Sequence, residues 1–466
     1  MGMIDLAPAL RKADTDMTTG SIVKHLLMFA VPLMIGNLFQ QLYNTVDSIV
    51  VGKFVGKEAL AAVGSVTPIC NMLIGFFNGF ASGAGVIISR YYGAHDSGNV
   101  RKSVQTTMAM TYVLSVFLSI LGVALVPPLL RMMETPEDVF GQAAEYLRIY
   151  FAGLSGLLIY NMGAGILRAV GDSRRPLYFL IFSTVTNTVL DIVLVKTMDH
   201  GIAGVALATI ISQFASAVLV LVVLTRSRSD YRIRWKETRI DFRILKSICI
   251  VGLPSAIQMA VTSFSNVFVQ SYINRFESSC MAGWTVCNKL DAFVLLPITS
   301  LNLAVTTFVG QNLGAGNPER ARKGTYRTFL LAELFCLLLV PLLLLFAPQL
   351  VWVFNEDPEV IEFGVFFVRM MAPFYFVVCV NQIFAGSLKG AGDSQSCMFI
   401  MLGSFVVFRQ IYLFIAYRLT ESLVPVALGY PAGWVLCSIL IFTYYRAGKW
   451  RKKLAQTTKA MNEATK

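Results

Sequence analysis

Long apolar stretches dominate the chain, and short polar segments separate them. A helix that crosses a bilayer needs about 20 consecutive, mostly apolar residues. Twelve stretches meet this requirement, and the pattern therefore predicts twelve transmembrane helices. Their approximate bounds are 24–50, 59–89, 103–128, 142–167, 176–197, 201–225, 247–273, 280–310, 325–347, 363–388, 397–418 and 422–446.

The composition points to the same class of protein. Hydrophobic residues make up 56% of the chain and charged residues only 14%, whereas soluble domains carry about 25% charged residues. The three histidines lie far apart, and the eight cysteines include no CxxC pair, so neither a zinc site nor a disulfide framework is expected. No phosphate-binding loop or nucleophile elbow occurs. We therefore predict a polytopic membrane protein that lies in the lipid bilayer, is not an enzyme and holds no cofactor.

The distribution of basic residues predicts the orientation. Lys and Arg cluster before the first span, after span 6 and in the C-terminal tail, while the alternate loops near 134–138 and 356–362 are acidic. Cytoplasmic loops are enriched in Lys and Arg, so both termini are predicted to be cytoplasmic, in a bacterial cytoplasmic membrane. The net charge of +12 is then a topology signal, and no nucleic-acid partner is expected. The predicted divisions are an N-terminal segment 1–23, an N-lobe 24–225, a basic linker 226–246, a C-lobe 247–446 and a tail 447–466.

Two motifs recur at one displacement, which indicates an internal repeat. Arg90-Tyr-Tyr-Gly-Ala returns as Gln311-Asn-Leu-Gly-Ala, and Leu167-Arg-Ala-Val-Gly-Asp returns as Leu388-Lys-Gly-Ala-Gly-Asp. Both displacements are 221 residues (311 − 90 and 388 − 167). With six spans each, the halves insert the same way up and are related by a pseudo-two-fold axis along the membrane normal. Two lobes around one cleft are typical of transporters, and because one chain supplies both, a monomer suffices.

Polar side chains inside the spans are the candidate functional groups. A carboxylate at mid-membrane costs about 2.5–3.5 kcal/mol, whereas hydrogen bonds between membrane helices contribute only about 0.6 kcal/mol on average. Asp47 and Asp191 therefore call for a functional role. In span 1, polar residues share a helical face with Asp47; in span 5, Asn187 shares one with Asp191. Together with Tyr43 and Thr209 they form oxygen-rich surroundings suited to a proton or Na⁺; the Na⁺ ligands would be Asp47, Asn187, Asp191 and Thr209.

The second half lacks a matching acidic face. Its remaining charges at membrane depth pair structurally or handle substrate, and both interpretations stay open. The residues predicted to line a substrate cleft are Gln40, Asn44, Gln258, Thr262, Asn266, Asp291, Glu333 and Arg409. Pro32 and Pro254 each remove a helix hydrogen bond early in the first span of a half, and are candidate hinges. The repeated glycine motifs are most simply tight turns between spans.

The order and spacing of these motifs resemble the multidrug and toxic compound extrusion (MATE) transporters. The resemblance rests on Pro32, Tyr43-Asn-Thr-Val-Asp47, Gly56-Lys-Glu-Ala-Leu-Ala-Ala-Val-Gly64 and the two Gly-Asp turns, and it covers about residues 20–446. It implies twelve helices in two lobes and exchange of Na⁺ or H⁺ for lipophilic, often cationic compounds. One branch of the family has an N-lobe cation site whose pattern matches Tyr43, Asp47, Asn187, Asp191 and Thr209, with Asn161 as a further member. The acids of the other branch correspond to Thr262 and Val378 here, which argues against a C-lobe cation site.

We therefore predict an antiporter that exports small amphipathic organic compounds in exchange for H⁺ or Na⁺. The main alternative is a flippase or exporter of a lipid-linked precursor or another amphipathic metabolite. A flippase predicts a strongly cationic cleft, whereas the first-lobe candidates are acidic. A membrane enzyme or receptor would need a nucleophile with its base, or a soluble domain, and the sequence offers neither. The sequence leaves the substrate and the coupling ion open.

Overall fold

A computed structural model describes residues 15–133, 135–198, 201–420, 422–448 and 450 of the protein, and the described part is helical without β-strands. The predicted segment 1–23 is therefore described only from residue 15, and most of the predicted tail 447–466 lies outside the described residues.

Seven α-helices build the first half of the chain. They are α1 (Ile22–Val50), α2 (Lys57–Gly93), α3 (Ser97–Met132), α4 (Glu137–Ala152), α5 (Leu154–Ala169), α6 (Arg174–Asp191) and α7 (Gly201–Arg226). A π-helical segment follows α1 at Val51–Val55, and another follows α6 at Ile192–Thr197.

Ten α-helices build the second half, in which several spans are interrupted. They are α8 (Phe242–Ile273), α9 (Ser278–Gly314), α10 (Pro318–Leu345), α11 (Ala347–Trp352), α12 (Pro358–Met371), α13 (Tyr375–Gly390), α14 (Ser394–Leu402), α15 (Arg409–Thr420), α16 (Leu423–Ala427) and α17 (Gly429–Arg446). A 3₁₀ turn joins α12 to α13, and the π-helical segment Gly403–Phe408 joins α14 to α15. The linker before α8 contains one further 3₁₀ turn, Trp235–Glu237.

The described helices account for two sets of six spans. Ten helical stretches are long and apolar enough to cross a bilayer, and the pair α4–α5, bent by 48°, makes an eleventh. The shorter α17 packs along α13 and α14 and completes the second set. The predicted all-α membrane fold with two six-helix lobes is therefore confirmed. The helix α8 begins at Phe242, where Asp241 caps it by accepting the backbone N–H groups of Arg243 and Ile244.

The internal repeat is visible in the helix ends and in the lobe contact. Both ends of α9 lie 221 residues after those of α2, at Ser278 against Lys57 and at Gly314 against Gly93. Gly93 lies directly on the carbonyl of Gln311, and Gly314 lies directly on the carbonyl of Arg90. These reciprocal contacts are what a two-fold axis between the lobes requires. Glycine is needed at both positions because a Cβ atom would overlap the opposing backbone.

The two lobes meet most closely where α2 packs along α8. Gly75, Gly79 and Gly83 recur every fourth residue on α2 and lie against the α8 backbone around Gly252 and Ala256. Small residues at this spacing let membrane helices approach to backbone contact.

Hydrogen bonds between the lobes gather at the end of the bundle that carries the connections 94–96, 170–173, 315–317 and 391–393, here called the closed end. The guanidinium of Arg90 donates to the carbonyl of Ala391 at 2.8 Å. Its repeat counterpart Gln311 donates from its amide to the carbonyl of Ala169 at 3.0 Å. Met17, in the segment before α1, is bound to the C-lobe, since its N–H donates to Gln311 and its carbonyl accepts from Asn312, both in α9. Each lobe thus reaches across to a turn of the other.

Candidate functional site

A cavity of about 740 Å³ lies between the lobes and is lined by helices of both. The N-lobe contributes a polar row from α1 that includes Asn37, Gln40, Tyr43 and Asp47. The C-lobe wall is mostly uncharged and includes Gln258, Met259, Asn302, Thr306 and Gln382. Such a mixed wall suits amphipathic molecules, which need both apolar contact and a few hydrogen-bonding groups.

The predicted cation residues of α1, α6 and α7 come together on the N-lobe side. Asp47 is half-buried on the cavity wall, while Asp191 and Asn187 behind it are 0% and 1% exposed. The Asp47 and Asp191 carboxyl groups lie near each other. The Tyr43 hydroxyl lies 3.4 Å from the Thr209 hydroxyl, which also donates to the carbonyl of Val205. Five residues that are distant in sequence therefore surround one point.

The buried members of this group have unused hydrogen-bonding capacity. Neither carboxylate oxygen of Asp191 and neither amide atom of Asn187 has a hydrogen-bond partner among the described residues. Buried polar atoms are normally paired, because an unpaired one costs about 1–3 kcal/mol. Two adjacent carboxylates also repel each other unless a proton or a cation lies between them. Chemically, such an arrangement can accept a proton or a cation. In the described part of the chain no cluster of three His, Cys, Asp or Glu residues offers a multivalent metal site.

The two helices that carry the acids, α1 and α6, both change from α-helical to π-helical geometry just after them. Asp47 lies one turn before the π-helical segment Val51–Val55, and Asp191 is the last residue before Ile192–Thr197. A π-helical turn weakens the regular hydrogen-bond ladder and is frequent at functional sites. The hydrophobic pattern carries no signal for it.

The other predicted residues fall into two groups, those that line the cavity and those that do not. Gln40, Gln258 and Asn161 line the cavity, and the amide of Asn161 donates to the carbonyl of Leu157 at 2.9 Å. Pro32 lines it too, within the continuous helix α1. Pro254 lies inside α8. Asn44 lies in α1, but its side chain is outside the described part.

Five C-lobe candidates do not line the cavity in the described part of the chain: Thr262, Asn266, Asp291, Glu333 and Arg409. Arg409, only 2% exposed, donates to the side chains of Ser265 and Asn266 at 3.0 and 2.9 Å and lies over the Tyr430 ring at 4.7 Å. These contacts tie α15 to α8 and α17, which is a structural pairing. Thr262 accepts a long hydrogen bond from Gln258 at 3.4 Å.

The repeated glycine motifs form tight turns, helix ends at the lobe contact and part of the cavity wall. Gly171 and Gly392 have φ values of 87° and 81°, so they form the predicted tight turns. Gly93 and Gly314 instead end α2 and α9 at the lobe contact. The basic residue ahead of each turn, Arg168 or Lys389, lines the cavity, which the sequence analysis missed. The available signal was a basic residue at the same place in both repeats.

The family model described as MatE matches the chain twice, at residues 32–193 and 254–415. The chain belongs to the MatE family. The two matches are offset by 222 residues (254 − 32), in agreement with the repeat. Members of this family are transporters, so the MatE chain described here is a membrane transporter and not an enzyme.

Curated relatives align with this MatE chain over nearly its whole length. It is 30% identical over 443 residues to the Bacillus subtilis protein named "Probable multidrug resistance protein YpnP", covering 94% of this chain and 97% of that one. It is 26% identical over 451 residues to "Probable multidrug resistance protein NorM" of Thermotoga maritima, covering 95% and 96%.

A solved structure described as the outward-facing conformation of a multidrug resistance MATE family transporter matches this fold with a TM-score of 0.87. The two chains are 25% identical, and the match covers 95% of this chain and 98% of the other. The expected family is thus confirmed by sequence and by fold.

Proposed function

We propose that this MatE transporter exports amphipathic, often cationic organic compounds from the bacterial cytoplasm in exchange for H⁺ or Na⁺. The relatives named for multidrug resistance and the mixed polar and apolar cavity wall support the substrate class. The basic stretch 226–246 follows α7 at the closed end. By the positive-inside rule that end and both termini face the cytoplasm, and the cavity opens outward. One chain carries both lobes and the cavity, so the monomer is the working unit, and transport needs no cofactor.

The observation that carries the mechanism is the pair of facing carboxyl groups at the cavity wall. Asp47 receives the ion from the cavity, and Asp191 lies directly behind it with Asn187. Uptake of H⁺ or Na⁺ removes the repulsion between the two carboxylates and uses the unpaired oxygen atoms of Asp191 and Asn187. Tyr43 and Thr209 complete the ring of oxygen atoms, and Asn161 orients nearby solvent or substrate on the same wall.

Ion binding drives transport only if the ion binds the two orientations of the lobes with different affinity. α1 carries Asp47 and packs along both α6 and α9, so it connects the ion site with the C-lobe. Once the carboxylates are neutralised, α1 repacks against α6 and bends near Pro32, with Pro254 as the C-lobe hinge. The cavity narrows, and the substrate leaves toward the outside.

The test is ethidium efflux from proteoliposomes driven separately by a pH gradient and by a Na⁺ gradient. We expect one of the two gradients to drive efflux and the Asp47→Asn variant to lose at least nine-tenths of it (about 1.4 kcal/mol or more of coupling). Glu237→Gln is the matched control, because it also removes one carboxylate, here from an exposed ion pair with Arg234.

Gradient-driven efflux in Asp47→Asn equal to that of the parent protein would refute the ion site. If neither gradient moved ethidium or other dyes through the parent protein, the exporter proposal itself would fail. Lipid-linked precursors would then be the next substrates to test, as expected of a flippase.

A further inference from the structure

The cavity wall carries basic as well as acidic side chains. Among the described wall residues three side chains are charged: Asp47, Arg168 and Lys389. Asp47 belongs to the ion site, which leaves two basic side chains, both half-buried. Arg168 and Lys389 are repeat counterparts (389 − 168 = 221), each in the last turn of its helix, α5 and α13, at the closed end. Because the lobes are related by a two-fold axis, the two bases lie on opposite walls of the same cavity end.

The acid of each repeated motif does not neutralise the base beside it. Asp172 turns toward the next helix, where it accepts the backbone N–H groups of Arg174 and Arg175 and pairs with the Arg175 guanidinium. Asp393 likewise accepts from the Ser396 N–H and from the Tyr444 hydroxyl at 2.6 Å. Both carboxylates are therefore engaged in capping α6 and α14, away from the cavity wall.

Neither base has a carboxylate partner elsewhere in the described chain. The Lys389 ammonium donates to the side-chain carbonyl of Gln258 at 3.0 Å, so a neutral group holds it in place. Arg168 lies beside Tyr160, which also lines the cavity. A positive charge away from bulk water is costly unless an opposite charge meets it. Because both bases line the cavity, the cavity has room for an anionic group beside them.

The acids of the ion site are too distant to supply that charge. Asp191 follows the first residue of α6, Arg174, by 17 positions, and Arg174 lies next to the closed-end turn after Arg168. At a rise of 1.5 Å per residue, the ion site is about 25 Å from that turn along the helix axis. This distance is far beyond the separation of about 4 Å within which a basic and an acidic side chain form an ion pair. The cavity therefore has an acidic region near Asp47 and a separate basic region at the closed end.

We propose that Arg168 and Lys389 form an anion-binding subsite, and that this transporter carries amphipathic compounds that bear a carboxylate, sulfonate or phosphate group. The planar guanidinium of Arg168 suits bidentate contact with such oxyanions, while the Lys389 ammonium adds a second positive charge. The neighbouring Tyr160 and Leu177 offer an apolar surface for the rest of the molecule. The inference rests on the proposed function in one respect, namely that this cavity holds the transported compound.

The test compares two dyes that share a xanthene core, anionic fluorescein and cationic rhodamine 123. Binding to the purified protein is followed by fluorescence anisotropy. We expect Arg168→Gln and Lys389→Gln each to weaken fluorescein binding about tenfold or more, while rhodamine 123 binds unchanged or more tightly. Lys389→Arg keeps the charge and should retain fluorescein binding. Arg174→Gln is the matched control, because Arg174 is an exposed basic residue at the same end and does not line the cavity.

Three results would overturn the subsite. These are no binding of fluorescein by the parent protein, binding of fluorescein by the Gln variants as tight as by the parent, and equal weakening of the binding of both dyes in the Gln variants, as expected if the bases only stabilise helix ends. In a further experiment, phosphatidylglycerol or phosphatidylcholine micelles are added to the protein with fluorescein bound. We expect equal, weak displacement of fluorescein by the two lipids, and displacement by phosphatidylglycerol alone would assign the bases to a lipid headgroup instead.

Binding in solution requires no ion gradient. Failure of the subsite therefore leaves ion-driven ethidium efflux intact, and failure of the ion coupling leaves the dye comparison readable.

Discussion

Replacing Gly79 by alanine should hold the two lobes apart where α2 packs along α8. A Cβ atom added there would lie 2.6 Å from the Ala256 Cα and N atoms on α8. Carbon atoms in contact are normally about 3.5–4.0 Å apart, so α2 and α8 would have to separate by about 1 Å. Both opposing groups are backbone and cannot rotate away. Overpacking of this kind costs about 1–3 kcal/mol, and the penalty falls on the state in which the lobes touch.

This energy shifts the balance between the two orientations of the transporter about 5- to 150-fold. The assay follows labelling of Cys70, which lines the cavity, by a membrane-impermeant maleimide added from outside. Cys249→Ser serves as background, because Cys70 and Cys249 are the two cysteines that are not buried. For orientations of similar starting energy, we expect labelling to slow at least about threefold and ethidium efflux to fall with it.

The matched control is Gly64→Ala, on the same helix, where an added Cβ meets nothing within 4 Å. This variant should label and transport like the parent and be slightly more stable, since alanine favours a helix by about 1 kcal/mol over glycine. If Gly79→Ala, folded by size-exclusion chromatography, labelled and transported like Gly64→Ala, the lobe contact would not govern the orientation and the reasoning would be refuted.

Three further substitutions separate structural from functional roles. Asn187→Leu should raise the unfolding temperature by a few degrees, because it removes a buried amide without partners, and should abolish ion-driven efflux; a loss of stability in calorimetry would contradict this. Gln311→Ala should lower stability by about 1–3 kcal/mol, since it leaves the Ala169 carbonyl and the Met17 N–H unpaired; a thermal shift assay decides. Arg409→Leu should also lower the unfolding temperature while retaining the ion dependence of efflux, and a changed ion dependence would give Arg409 a part in coupling.

The sequence predicted the spans well because the bilayer imposes one strong constraint on every helix. Backbone groups must be paired internally, so apolar stretches of sufficient length become helices. The sequence also predicted the repeat, because glycine is required at equivalent positions of both halves. Gly93 and Gly314 both lie at the lobe contact, and Gly171 and Gly392 both form tight turns. The cost of burying acids singled out Asp47 and Asp191, whereas their grouping in one site came from the family resemblance, since neither burial cost nor helix spacing shows which side chains of different helices lie together.

Other features were beyond the sequence pattern. The π-helical turns after Asp47 and Asp191 arise from tertiary packing and have no signature in hydrophobic periodicity. Arg409 carries a charge at membrane depth, as a substrate-binding residue would, yet it is satisfied by neighbours on other helices. Arg168 and Lys389 were overlooked because an acid follows each of them four residues later, and only coordinates show that this acid caps the next helix.

The hydrogen bonds across the closed end are part of the free energy needed to separate the two lobes there. Lipid supplies no hydrophobic force between helices, and hydrogen bonds between membrane helices contribute about 0.6 kcal/mol each. The two bonds that join the lobes directly, from Arg90 to Ala391 and from Gln311 to Ala169, therefore amount to about 1 kcal/mol. One elementary charge moving through 100 mV releases about 2.3 kcal/mol. In the proposed exchange, inward movement of one monovalent ion would therefore supply more free energy than these two hydrogen bonds contribute, and the bonds alone would not keep the lobes together against it.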